Sequence, residues 1–183
     1  MPQSSSAFHV PPARAQRILE QRTRDLAERG QVVAERPLPP MLICALGEEL
    51  CGLSLEDVAR VVPDGPCAPL PGAPPALLGL MGARGQAFLL LDLALALGRG
   101  QPARPGGHVL LLRHAAPRFA IRVDRVTGVQ APQSLPPDPH AGPGPLSGHA
   151  LLPSAAPRPV LLGLIDTARL LHPFLPAAQT LGA

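Results

Sequence analysis

Three cysteines, six histidines and a scatter of aspartates are the residues of this chain best suited to chemistry, and their spacing forms none of the familiar reactive sets. Cys44, Cys51 and Cys67 are odd in number and include no CxxC pair, which argues against a disulfide framework and against a structural zinc site. The histidines at 9, 108, 114, 140, 149 and 172 lack HxH or HExxH spacing, so a metal would need ligands gathered from distant segments. No serine lies in GxSxG, so a nucleophile elbow is absent. Gly98-Arg99-Gly100 with Ala103 imitates a dinucleotide fingerprint, but Pro102 and the helical run before it contradict the strand–turn–helix context that phosphate binding needs. Asp92 and Asp166 each precede a short helical run and read as N-caps rather than as a paired acid and base. Asp124 reads as structural, holding a strand end or pairing with a nearby arginine. Cys44 and Cys51 read as packed small hydrophobes on adjacent hairpin strands.

Composition removes further classes. All sixteen basic residues are Arg, so the lysine of a P-loop, of a Schiff-base enzyme or of a protein kinase fold is missing. The net charge of +3 is spread thinly: residues 1–37 hold six Arg against four acids, and the remainder ten against nine. Four Phe and no Tyr or Trp leave no stacking platform, so nucleic acid is not an expected partner. The N-terminus, MPQSSSAFHVPPARAQ, lacks the basic and apolar regions of a signal peptide. The longest apolar run, Ala87 to Leu97, is interrupted by Asp92 and is about half a membrane span. The expectation is a cytoplasmic protein with no cofactor, no metal and no direct membrane insertion.

The elements that must position any site are short strands. Residues 1–37 read as a disordered tail, an amphipathic helix over Arg14 to Arg29 with Ile18, Leu19 and Leu26 on one stripe, and a Pro-rich linker. Leu42 to Leu46 and Leu50 to Leu55 flank Gly47-Glu48-Glu49, a hairpin signal. A turn then leads to Val58-Ala59-Arg60-Val61-Val62. After a proline-rich connection, Leu77 to Met81 and Gln86 to Leu91 form a second hairpin around Ala83-Arg84-Gly85, followed by a helical turn from Leu93 to Leu97 that stops at Gly98. Beyond the connection at 99–107, strands are expected over 109–113, 119–123, 126–130, 150–152 and 160–165, with 131–148 a long mobile loop and a helical turn over 166–171. Such a pattern points to small closed β-barrels.

These pieces, in this order, resemble the CheW-like domain, the coupling module of bacterial chemotaxis-type signalling. The residues that carry the resemblance are Leu46-Gly47, Glu48-Glu49, Gly52-Leu53, Val58-Ala59-Arg60-Val61, Gly79-Leu80-Met81-Gly82-Ala83-Arg84-Gly85 and Leu91-Asp92-Leu93. In the second half they are Ala120-Ile121-Arg122-Val123-Asp124-Arg125-Val126 and Ile165-Asp166-Thr167-Ala168-Arg169-Leu170-Leu171. The resemblance implies a mainly β domain over 38–176, built as two five-stranded SH3-like barrels packed together, the first at about 41–98 and the second at about 108–165, with room for segments that cross from one to the other. It implies a non-enzymatic adaptor whose partners are a chemotaxis-type histidine kinase and the cytoplasmic tip of chemoreceptors.

Carried over onto this chain, the contact regions are Val58, Arg60, Gly79, Arg84 and Gly85. Strand alternation leaves open whether Val58 faces the core or a partner. Arg84 is either a partner-binding cation or a solvated turn residue, and Gly85 is explained by a turn needing positive φ. The chain departs from the family where Arg60 replaces the acid of VxEV, where Gly82-Ala83 replace Asn-Leu, and where Ala120 replaces a glycine. These departures favour, as the alternative, a module retargeted to another regulatory partner. A small-barrel hydrolase is the rival from another class.

Overall fold

The computed structural model describes residues 37–114, 116–137, 142–153 and 160–175. The expected tail and N-terminal helix therefore lie outside the described residues. The end of the linker is seen: Pro37 bridges Gln133, and the Leu38 N–H donates to the Pro132 carbonyl at 2.8 Å.

Six strands form the first half, β1 (Met41–Leu46), β2 (Glu49–Ser54), β3 (Val58–Pro63), β4 (Cys67–Ala68), β5 (Leu77–Ala83) and β6 (Gln86–Asp92), closed by the short helix α1 (Leu93–Ala96). The second half contributes β7 (His108–Leu112), β8 (Phe119–Val123), β9 (Arg125–Gln130), β10 (Gln133–Ser134), β11 (Leu146–Leu152) and β12 (Val160–Ile165), then α2 (Thr167–Leu171). Part of the expected loop at 131–148 is thus strand: β10 pairs with β11, whose first residue is Leu146. Proline content predicted a loop there because it discourages long ladders, but a two-residue strand needs few free amides.

The hydrogen-bonded sheets do not follow the halves of the chain. One runs β10-β11-β12-β2-β1-β9 and the other β3-β7-β8-β6-β5-β4. The first hairpin leaves the strands that follow it and pairs with late ones: β2 lies parallel to β12 and β1 antiparallel to β9. In place of two five-stranded barrels there are two six-stranded sheets, and strands cross between the halves of the chain. In neither sheet are the two edge strands hydrogen-bonded to each other, so the barrels are not closed by ladders.

Alternation explains how each sheet is covered on both faces. In β7, Leu110 and Leu112 enter a large central cluster with Leu91, Phe119 and Ile121, while Val109 and Leu111 turn to a second cluster with Met81, Phe88 and Leu90. In β1, Leu42, Cys44 and Leu46 join the central cluster, and Ile43 joins a third with Ala150 and Leu162. The central cluster takes residues from both sheets; each of the others belongs to one. Each buried leucine or isoleucine contributes about 1.5–3 kcal/mol of transfer free energy, which compensates for the scarcity of aromatics.

Both helices are capped as expected. Asp92 accepts the Leu95 N–H at 3.1 Å and Asp166 accepts the Arg169 N–H at 2.9 Å. Gly98 follows α1 with φ of 76°, a conformation that suits a helix stop.

Candidate protein-interaction surface

The five residues singled out in sequence fall into two groups on one sheet, one on the edge strand β3 and the other on a hairpin whose strand β5 is covered at the far edge by the two-residue β4. Gly79, Arg84 and Gly85 belong to the β5–β6 hairpin, while Val58 and Arg60 belong to the edge strand β3. In the hydrogen-bonded order, β7, β8 and β6 lie between β3 and β5.

The hairpin closes at the Ala83–Gln86 pair, leaving Arg84 and Gly85 as a two-residue turn. Both have positive φ, 51° and 72°, the backbone signature of a type I′ connection that matches strand twist. A non-glycine residue in the left-handed region is uncommon, and here the turn thrusts Arg84 into solvent. Its guanidinium has no hydrogen-bond or ion-pair partner among the described residues.

Gly79 has a different reason to be glycine. It is buried with φ of 146°, and a Cβ there would stand 2.0 Å from the Ala68 carbonyl oxygen. The close approach of the 68–69 segment demands it. A side chain at Gly82, by contrast, would meet nothing within 4 Å. Leu80 and Gly82, with Ala87 across the ladder, give the hairpin an apolar outer face on which Leu80 is 40% exposed. Sequence reading missed Leu80 as a surface residue. Its alternation with Met81, which is buried, was the available signal.

On β3 the open question about Val58 is decided: it is 8% exposed and packs in the central cluster. A register shift between Val58 and Arg60 interrupts the alternation, and both Ala59 and Arg60 face solvent. The Arg60 guanidinium has no partner among the described residues.

Behind these surfaces lies a set of aspartates that sequence reading assigned only in part. The connection at 99–107 is pinned by three carboxylates from separate elements. Asp92, fully buried, accepts the Ala103 N–H at 3.0 Å as well as capping α1. Asp124 accepts the Gly47 N–H at 2.6 Å and the Arg104 N–H at 2.5 Å, so it is structural and tied to backbone rather than to an arginine. Asp64 accepts the Gly106 N–H at 3.1 Å, while its own N–H donates to the Gly107 carbonyl. Arg122 reaches Asp92 at 3.0 Å and Asp64 at 4.0 Å, joining two of the anchors. These aspartates hold backbone and are not arranged as an acid–base pair.

The thiols are held in their neutral forms. Burial, with a smaller contribution from Cys51, pushes Cys44 up to about 12; burial pushes Cys51 up to about 11, against the lowering influence of Arg99. Burial also raises Cys67, with Arg122 opposing. A nucleophilic or metal-binding cysteine requires the thiolate, which these environments disfavour. Among the described residues no three His, Cys, Asp or Glu side chains gather as a metal set, and no helix is long and apolar enough to cross a membrane.

Comparison with known proteins agrees with this architecture. No curated protein matches the chain. Among solved structures, the scaffolding protein TtCheW from Thermoanaerobacter tengcongensis is similar in fold, with a TM-score of 0.58 and 21% identity over 72% of this chain and 90% of that one. The model of the CheW-like domain matches residues 40–173, which span both sheets and the 99–107 connection. A match over that much of the chain, together with the strand order and the two capped helices, establishes that the chain belongs to the CheW-like domain family.

Proposed function

We propose that this protein is a non-enzymatic adaptor of chemotaxis-type signalling, which couples the cytoplasmic tip of chemoreceptors to a histidine kinase. The observation that carries this reading is that one sheet exposes two separate surfaces, the β5–β6 hairpin tipped by Arg84 and the edge strand β3. Two separate surfaces suit a coupler, which must hold two partners at once. The apolar outer face around Leu80 beside Arg84 has the mixed character of a hot-spot region, an apolar centre with an arginine at its margin.

The test is reconstitution of a ternary complex from the full chain, a chemotaxis-type histidine kinase and a receptor cytoplasmic fragment from the same genome, followed by sedimentation and kinase assay. Coupling requires co-sedimentation of all three, and a kinase response that depends on the adaptor. Binding to neither partner overturns the reading.

A second reading is favoured by one specific observation. Arg60 reverses the charge of the family's acid, and it is displayed at the surface rather than neutralised internally. A module retargeted to a different regulatory partner would use that reversal to reject the usual one. The sign of the Arg60→Glu effect separates the readings: stronger binding to the kinase–receptor pair supports coupling, and indifference supports retargeting.

A further inference from the structure

A second candidate site lies where the 99–107 connection meets the β1–β2 turn and the start of β9. It is an open cavity of about 390 Å³ walled by Gly47, Arg104, Gly106, His108, Asp124 and Arg125. The backbone around it is rigidly held. Asp124 fixes Gly47 and Arg104 through their amides, and Asp64 fixes Gly106. Gly107 packs so closely on the β8–β9 junction that a Cβ would stand 2.3 Å from the Val123 carbonyl oxygen.

The charges in the cavity are not balanced by the fold. Both oxygens of Asp124 already accept backbone N–H groups, so this carboxylate is committed to holding the wall. The Arg104 and Arg125 guanidinium groups have no hydrogen-bond or ion-pair partner among the described residues. Of the two acids of the hairpin turn, Glu49 is taken by Arg99, and Glu48 is exposed with no ion pair to either arginine among the described residues. His108 adds a ring whose Nδ1 is buried and lacks a hydrogen bond among the described residues. Buried polar atoms without partners are rare in folded proteins and mark places where a further group completes the network.

We propose that this cavity binds an oxyanion, a phosphate or a carboxylate, between the guanidinium groups of Arg104 and Arg125. Guanidinium forks suit the planar oxygen pairs of carboxylates and the tetrahedral oxygens of phosphate, and charge-assisted hydrogen bonds are the strong ones. A wall already pinned by Asp64 and Asp124 needs little ordering when the ligand arrives. The oxyanion has two possible sources, a free small anion or an acidic side chain presented by a peptide. The site is independent of the receptor–kinase reading, since it uses neither Arg60 nor Arg84.

The experiment is a titration of the isotopically labelled full chain, followed by NMR, with inorganic phosphate in one arm and a glutamate-rich peptide in the other. Potassium chloride at matched ionic strength is the control. The expected result is saturable shifts of the Gly47, Arg104, Gly106 and His108 amides in at least one arm, with the arm that saturates identifying the source. The Arg104→Gln/Arg125→Gln double variant is expected to weaken that binding by at least about tenfold. Its distant amides should be unmoved, because both side chains are exposed and unpaired. Arg113→Gln/Arg118→Gln, which removes two exposed arginines elsewhere, should leave binding intact. Shifts that track ionic strength, absence of saturation in both arms, or equal binding by the Arg104→Gln/Arg125→Gln variant would each overturn the assignment.

Discussion

The Arg84–Gly85 turn and the 99–107 connection are both glycine-bearing links, and they are held in opposite ways. The turn is shaped by its own backbone: two positive φ angles and one closing pair suffice, and no side chain among the described residues anchors it. The connection has no ladder of its own and is fixed by Asp64, Asp92 and Asp124, which accept amides along it from three directions. A link that anchors itself is free to carry whatever side chain a partner requires. A link anchored by others stakes the stability of the domain on those anchors.

The severest test of that contrast is Asp92→Ala. It removes a helix cap, an amide acceptor and the carboxylate facing Arg122, which is itself largely buried. Leaving the Leu95 and Ala103 amides without their acceptor, and the guanidinium with only Asp64 at 4.0 Å, should cost about 3–5 kcal/mol in denaturant unfolding. A loss under about 1 kcal/mol would mean that the connection is held by something else.

Alkaline titration probes the buried face of the β1–β2 hairpin with unusual clarity. The chain has neither Lys nor Tyr, so thiols dominate its side-chain titration above the range of the terminal amine. With native values raised from 9.0 to about 12 for Cys44 and about 11 for Cys51, the folded state favours the protonated thiols. Their contribution to stability is complete below pH 9.0 and is lost as pH rises through the native values. Each thiol should steepen the decline by about 1.4 kcal/mol per pH unit above its unfolded value. The extra slope should vanish in the Cys44→Ala/Cys51→Ala variant, and an unchanged slope would show that these thiols are not the cause.

Within the hairpin, two glycines should separate. Gly79→Ala forces a methyl group against the Ala68 carbonyl at positive φ and should cost about 1–3 kcal/mol. Gly82→Asn, which restores the family's residue into open space, should change stability by less than about 0.5 kcal/mol. Equal effects in thermal melts would break the distinction between a glycine the packing demands and one it merely permits.

The smallest expected stability effect is that of Arg84→Ala, within about 0.5 kcal/mol. Loss of binding to the kinase or receptor by about 1–2 kcal/mol would make it an interface residue. Unfolding by this variant would instead make the turn a structural element and reverse the comparison.

What could be read from the sequence was local. The hairpins, the caps at Asp92 and Asp166 and the exposed turn at Arg84 each depend on neighbours a few residues away, so their signals are written side by side. Asp124 could be recognised as structural, but its partners are backbone amides at Gly47 and Arg104, which carry no residue-type signature. Asp64 carried no signal for the same reason, since its partners are the Gly106 amide and the Gly107 carbonyl. Val58 was undecidable from alternation because β3 shifts register beside it. The assignment of strands to sheets was the least legible part, since the partners of β1 and β2 lie at the far end of the chain.

That exchange of strands has a consequence for how the protein can be cut, copied or assembled. A fragment ending in the 99–107 connection would carry β1 and β2 without β9 and β12, and β6 without β8. Its complement would expose the matching edges. Neither piece is a foldable inheritance, and each would present bare strand edges that invite aggregation. During synthesis the first hairpin must wait for the ribosome to release its partners before it can dock, which places the chain among slow folders dominated by distant contacts. Insertions should be tolerated at the β5–β6 turn tip, whereas a permutation or break between the halves severs both sheets at once.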